Sequence, residues 1–152
     1  MIFNHVATKI LSRQIDFVND IFYLRLVSQS QAQSQSIQYV SNIIGEATGG
    51  NYTPKMLTQT ALPQILSNNN TAYIADFGSA TWLALMSPTI TNLTGVVMCK
   101  SATGTTFAST DLAILYLPFP DCPNSPGGVF YPDASDLYIS VYNSAGIIKI
   151  TV

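Results

Sequence analysis

Apolar and polar residues alternate over much of this chain, with the period of two that a half-buried strand requires. Phe22, Leu24 and Leu26 fall on one face and Tyr23 and Arg25 on the other, so the second half of Ile15 to Val27 reads as a strand. Asn19-Asp20 marks a turn or bulge before it. The same alternation returns at Tyr73, Ala75 and Phe77, and at Trp82, Ala84 and Met86 against Leu83 and Leu85, a run that Pro88 ends. Gly95 to Lys100 and Leu112 to Leu117 follow, the second apolar on both faces as in a strand covered on both sides. Leu137, Ile139 and Val141 alternate with Tyr138, Ser140 and Tyr142, then Asn143 to Gly146 turns the chain into a last strand through Ile148, Ile150 and Val152. Trp82 to Phe119 holds the single Trp and the densest β-branched and aromatic usage, which makes it the expected centre of the fold.

Between these runs the chain is polar. Ser28 to Ser36 (SQSQAQSQS) has almost nothing to bury and reads as an exposed loop. Ser36 is placed to N-cap a short helix carrying Ile37, Val40, Ile43 and Ile44 at helical spacing, and Ala7 to Ser12 suits one or two helical turns. Gly45 to Pro54 is turn chemistry and leads into a strand from Tyr52 to Thr60; Leu62 to Leu66 is short and apolar, and Ser67 to Asn70 is a further turn. Ser101 to Thr110 is a polar hairpin-like connection with Gly104 at its middle. Pro118 to Asp133 contains five of the eight prolines, so it is a long surface loop rather than a central strand: each Pro removes a ladder donor. The expected architecture is all-β: a single-domain β-sandwich over residues 1–152, jelly-roll or immunoglobulin-like, with one short helix and an N-terminal extension over about residues 1–14.

Composition changes this picture in one respect. Charged residues make up 9% of the chain, against roughly 25% in an average soluble domain, while hydrophobic residues are an ordinary 47%. A surface of hydroxyls and amides suits one that neighbouring subunits cover, because burying such groups costs less than burying charges. A neutral polar surface facing an extracellular medium is the plainer reading. Lys9, Arg13, Arg25, Lys55, Lys100 and Lys149 are scattered singly and the net charge is -2, so no basic stripe exists to neutralise phosphates and nucleic acid is not an expected partner. No apolar run approaches the ~20 residues of a membrane span, and no leader is read at the N-terminus.

Candidate chemistry is sparse. His5 is the single histidine, and nothing beside it orients a base for a Ser or Cys nucleophile. The eight carboxylates show no spacing that argues for an acid–base pair. Asp133 and Asp136 fit turn capping better than a calcium loop. Cys99 lies in an apolar strand, where a thiol acts as a small hydrophobe, and Cys122 lies in the proline-rich loop; whether they pair is left open by the sequence. The glycosylation triplets at Asn51, Asn69 and Asn92 read as chance matches in an Asn/Thr-rich chain. No enzyme activity, cofactor or metal is expected.

Several segments, in order, resemble small virion proteins of tailed bacteriophages. They are IFYLRLV (Ile21 to Val27), IIGEATGGNYTPKML (Ile43 to Leu57), ATWLAL (Ala80 to Leu85), TGVVMCK (Thr94 to Lys100), LAILYLPF (Leu112 to Phe119) and the ending LYISVYNSAGIIKITV (Leu137 to Val152). The chain departs from that pattern at Gly-Gly-Asn-Tyr around Tyr52, at Cys99 where an aromatic is usual, and in the longer proline-rich loop. The resemblance implies an accessory shell or tail component; with the low charge and exposed polar loops, the leading expectation is a head decoration or cement protein on the outer surface of the capsid, bridging subunits of the major capsid protein and itself a homo-oligomer such as a trimer. It carries no catalytic residue onto this chain. The expected contacts are Phe3 and Ile10 of the N-terminal segment, Gln29, Gln31, Gln33 and Gln35 of the Gln/Ser loop, and Phe119, Phe130 and Tyr131 of the proline-rich loop. The alternatives are a tail, collar, fibre or baseplate component, and a carbohydrate-binding β-sandwich using Trp82, Tyr131 and Tyr138 as platforms.

Overall fold

The computed structural model describes residues 1–32, 34–58, 64–66, 71–74, 77, 79–85, 92–104, 107–120, 126–134, 136–140 and 148–151. These build one short helix, α1 (His5–Leu11), and nine strands: β1 (Phe22–Val27), β2 (Lys55–Met56), β3 (Gln64–Leu66), β4 (Thr71–Ile74), β5 (Ser79–Trp82), β6 (Gly95–Lys100), β7 (Leu112–Pro118), β8 (Leu137–Ser140) and β9 (Ile148–Thr151). All pairings are antiparallel, in a four-stranded sheet of order β2-β1-β6-β7, a three-stranded sheet β3-β4-β9 and a two-stranded ribbon β5-β8. The protein is therefore predominantly sheet, as its alternating pattern requires.

The four-stranded sheet carries the core. β1 and β6 are its inner strands, paired from Phe22↔Lys100 to Val27↔Gly95. β6 pairs with β7 through a register shift between Met98 and Cys99. β1 was expected to be half-buried, yet all six of its residues are buried. Its Tyr23/Arg25 face, polar in pattern, is roofed by the loop after β6 and by Glu46 and Tyr52. Cys99 sits inside this core as a free thiol, and burial raises its pKa, so it is a packing residue rather than a nucleophile. Cys122 lies outside the described residues.

Three further expectations change. No helix starts at Ser36. A three-residue 3-10 turn, Val40–Asn42, stands there, stitched by Tyr39 N donating to Asn42 Oδ1 at 3.1 Å, and among the described residues the one α-helix is α1. Ile37 and Val40 are buried but Ile44 is exposed, because the chain leaves helical geometry at Ile43. Leu83 and Leu85 do not share a face: Ala84 adopts a positive φ of 47°, which breaks the alternation and leaves Leu83 outside and Leu85 buried. The last two strands do not pair with each other. β8 pairs with β5 and β9 with β4. Phe77 packs edge-on against Phe22, at 5.2 Å between ring centroids, and Phe22 stacks on Phe17 at 5.0 Å.

Candidate functional site

One connected set of polar side chains in this fold is turned inward. Asp111 is fully buried and accepts three hydrogen bonds, from Tyr23 Oη (2.7 Å), Ala102 N (2.8 Å) and Ala108 N (2.9 Å), which close the 101–111 connection over β1. Arg25 pairs with Glu46, donates to Phe107 O at 3.1 Å and lies 5.3 Å from the Tyr23 ring centroid. Tyr52 Oη donates to Glu46 Oε1 at 3.2 Å and accepts from Leu26 N at 3.2 Å. Burial opposes the Arg25 charge, but Tyr23 and Glu46 more than offset it and raise the guanidinium pKa further. Burial raises the Tyr23 and Tyr52 phenols as well, so both stay neutral donors. The network clamps Glu46, Tyr52 and the backbone at Phe107 onto β1. Lys100 and Asp20 form a second ion pair at 3.2 Å.

The expected contact residues divide. Phe3 is 1% exposed and belongs to the core, and Gln31 is 0% exposed. Gln31 Nε2 donates to Gln29 O (2.7 Å) and Ile44 O (2.8 Å), and its Oε1 accepts from Ile44 N at 3.3 Å. Neither side chain is free for a partner in this fold. Phe3 is drawn in because its backbone pairs with β7, and Gln31 because its amide satisfies both backbone groups of Ile44. Ile10, Phe119 and Phe130 are half-buried and pack on the core. Gln29 and Gln35 are exposed, and Gln33 lies outside the described residues. The Gln/Ser loop is held at both ends, by Ser28 N donating to Gly45 O at 2.7 Å and Asn4 N donating to Gln35 O at 3.0 Å.

The proline-rich loop folds back on the sheet. Leu93 and Phe130 exchange backbone hydrogen bonds of 2.8 Å, and Phe119 N donates to Thr94 O at 3.0 Å. That leaves Tyr131 pointing out, 54% exposed. Further on, Ala134 N donates to Leu85 O (2.8 Å), Asp136 Oδ1 accepts from Ala84 N (2.9 Å), and Asn51 Nδ2 donates to Ala84 O (3.1 Å). These bonds tie the end of the loop, the 83–85 turn and the Gly49–Asn51 turn together. On the ribbon, Ser79 and Thr81 are exposed while Ala80 and Trp82 are buried, and Thr81 faces Tyr138 across the pair. Leu83 (64% exposed) and Tyr138 (63%) thus stand on the outer face of the ribbon, with Tyr131 on the loop tied to it. This partly apolar face, flanked by the exposed Asp133 and Asp136, is the candidate interaction surface. Leu83 was missed by the sequence reading, because an apolar residue in an apolar run carries no sign of which face it takes.

Trp82 is fully buried, and its Nε1 donates to Thr53 O at 2.7 Å. It cannot serve as a carbohydrate platform. Among the described residues, no group of three or more His, Cys, Asp or Glu side chains is placed to hold a metal ion, and no helix is long and apolar enough to cross a membrane. No family model, no curated protein and no solved structure matches this chain.

Proposed function

We propose that this chain is a structural protein of a tailed-phage particle, a head decoration protein that binds the assembled lattice of the major capsid protein from outside and stabilises it. A protein that binds only the assembled lattice shifts the assembly equilibrium by mass action, with no chemistry of its own. In this reading the four-stranded sheet forms one layer of a β-sandwich, and the segments carrying β3-β4-β9 and β5-β8 form the other.

The observation that carries the reading is the disposal of charge against apolar surface. The few charges include Arg25 and Glu46, Lys100 and Asp20, and Asp111 and Asp136, all engaged inside the chain, while Leu83, Tyr131 and Tyr138 stand in solvent. Such a surface favours a neutral, well-packed protein contact, whose core is depleted in charge and enriched in aromatic residues. It also suits homo-oligomers at a symmetry axis, a trimer among them.

The test is the location and stoichiometry of the protein in purified particles, by imaging and quantitative mass spectrometry. Many copies spread over the capsid support decoration. A ring of a few copies at the neck or tail moves the protein to a tail or collar role, and absence from the particle removes the virion reading. The exposure of Tyr131 and Tyr138 favours one second reading, a glycan-binding module without Trp82. An unresponsive glycan array, together with unchanged adsorption for Tyr131→Ala and Tyr138→Ala, eliminates it.

A further inference from the structure

Residues 1–11 are held on the protein by backbone pairing to β7 and by side chains set into the core. Met1 to Phe3 runs antiparallel to β7: Met1 and Tyr116 exchange hydrogen bonds, Ile2 faces Leu115, and Phe3 N donates to Ile114 O at 3.1 Å. The segment covers the outer edge of β7, which would otherwise offer unpaired backbone groups to another chain. Phe3 and Val6, each 1% exposed, anchor it in the core, and α1 follows.

The arm is joined to the rest of the molecule by one tight turn. Arg13 N donates to Ile10 O at 3.0 Å and Gln14 N to Lys9 O at 2.8 Å, the two bonds that close a Schellman turn. The residue that must take the left-handed conformation there is Arg13, with φ 57°, where glycine is the residue free of the Cβ penalty. Ile15, two residues on, is buried again. A short hinge under strain beside a detachable strand is the arrangement that invites exchange of that element between copies.

We propose that residues 1–11 exchange between copies of this chain, the arm of one seated on the β7 edge and in the Phe3 site of its neighbour. The partner is a second copy because the groove is already shown to fit this segment: every contact formed within one chain is re-formed between two. Opening the hinge lets Arg13 leave the left-handed region, and three residues, Ser12 to Gln14, span about 10 Å when extended. High local concentration favours the exchanged form. Reciprocal exchange closes a dimer, and cyclic exchange closes a larger ring. This inference stands independently of the virion reading, since it concerns only the chain's association with itself.

The full-length protein tests it. Ile2 and Leu115 face one another between hydrogen-bonded pairs, the position at which opposed side chains lie closest. The double variant Ile2→Cys/Leu115→Cys, with Cys122→Ser to remove a competing thiol, is oxidised at rising protein concentration and run without reductant. Exchange yields covalent dimers or rings whose share rises with concentration. Monomers bearing only an internal crosslink at every concentration overturn it. The hinge is tested separately by sedimentation. Arg13→Gly removes the strain of the closed turn and should lower the exchanged fraction, by about fivefold per exchanged arm and so about 25-fold in the association constant of a reciprocal dimer. Arg13→Pro cannot take a positive φ and should raise it. If Arg13→Pro does not fold, Arg13→Gly decides: an association constant equal to the parent's overturns the proposal.

Discussion

Asp111 ties the loop after β6 to β1 through a single side chain. One carboxylate satisfies a phenol and two backbone N–H groups in a place that water does not reach. Removing a buried acceptor leaves its donors unpaired, which costs more than the bonds themselves contribute. Asp111→Ala should therefore destabilise the fold by about 3 kcal/mol or more, and Tyr23→Phe, which removes a single donor, by about 1–2 kcal/mol. Urea unfolding of the two variants checks the order, and equal losses would mean the loop is not held as described. His5 offers a second check at this scale. Its pKa is lowered, first by burial and then by the charge of Lys9, while backbone groups of Ala113 and Ile37 work the other way. Among the described residues its Nε2 has no hydrogen-bond partner. The folded state then binds fewer protons than the unfolded one below the ordinary histidine value of about 6.5. Stability should fall as pH drops from about 7.5 to about 5.5, and His5→Gln should flatten that slope in thermal melts.

At the scale of elements, the strands were legible wherever alternation met a clear turn. The strands at Phe22–Val27, Gly95–Lys100 and Leu112–Pro118 stand where the pattern placed them. Their neighbours were not legible. The ending Leu137 to Val152 reads as a hairpin by every local rule, yet its two strands pair with β5 and β4 instead. A hairpin and a long-range pairing make the same alternation, and only the core to be covered distinguishes them. The expected helix after Ser36 failed for a related reason. About two turns' worth of residues is a short helix at best, and the bridge between Tyr39 and Leu112 and the bond from Ala113 N to Gln38 O pull the segment onto the edge of β7. Gly95 shows how close the strands come. A Cβ there would lie 2.4 Å from Leu117 O and 2.7 Å from the Tyr116 ring, so the β6–β7 pairing depends on a missing side chain. Gly95→Ala should cost about 1–3 kcal/mol, read as a lower unfolding midpoint at unchanged m-value.

For the whole molecule, the surface decides what kind of association is open to it. Charges are few, and several of them are engaged internally, so long-range steering contributes little. Association of this chain with itself or with its lattice should change less than about threefold in affinity between about 0.05 and about 0.5 M salt. A steep loss of binding with salt, measured by sedimentation, would place the contact on charged groups that this surface hardly has.

By itself the sequence determined the predominance of sheet, the positions of the inner strands, the turns at Gly45 and Gly104 and the scarcity of charge. These follow from local rules: the period of side chains along a strand, the freedom of glycine, and a count of residue types. The tertiary structure decided the rest. It buried Phe3, Gln31 and Trp82, which had been candidates for contact, and exposed Leu83, which had not. It turned the polar face of β1 inward onto Asp111 and Glu46, and it put Arg13 in a conformation suited to glycine at the root of the arm. Each of these depends on which distant segment meets which. That is set by burying apolar surface over the whole chain at once, and no window of neighbouring residues contains it.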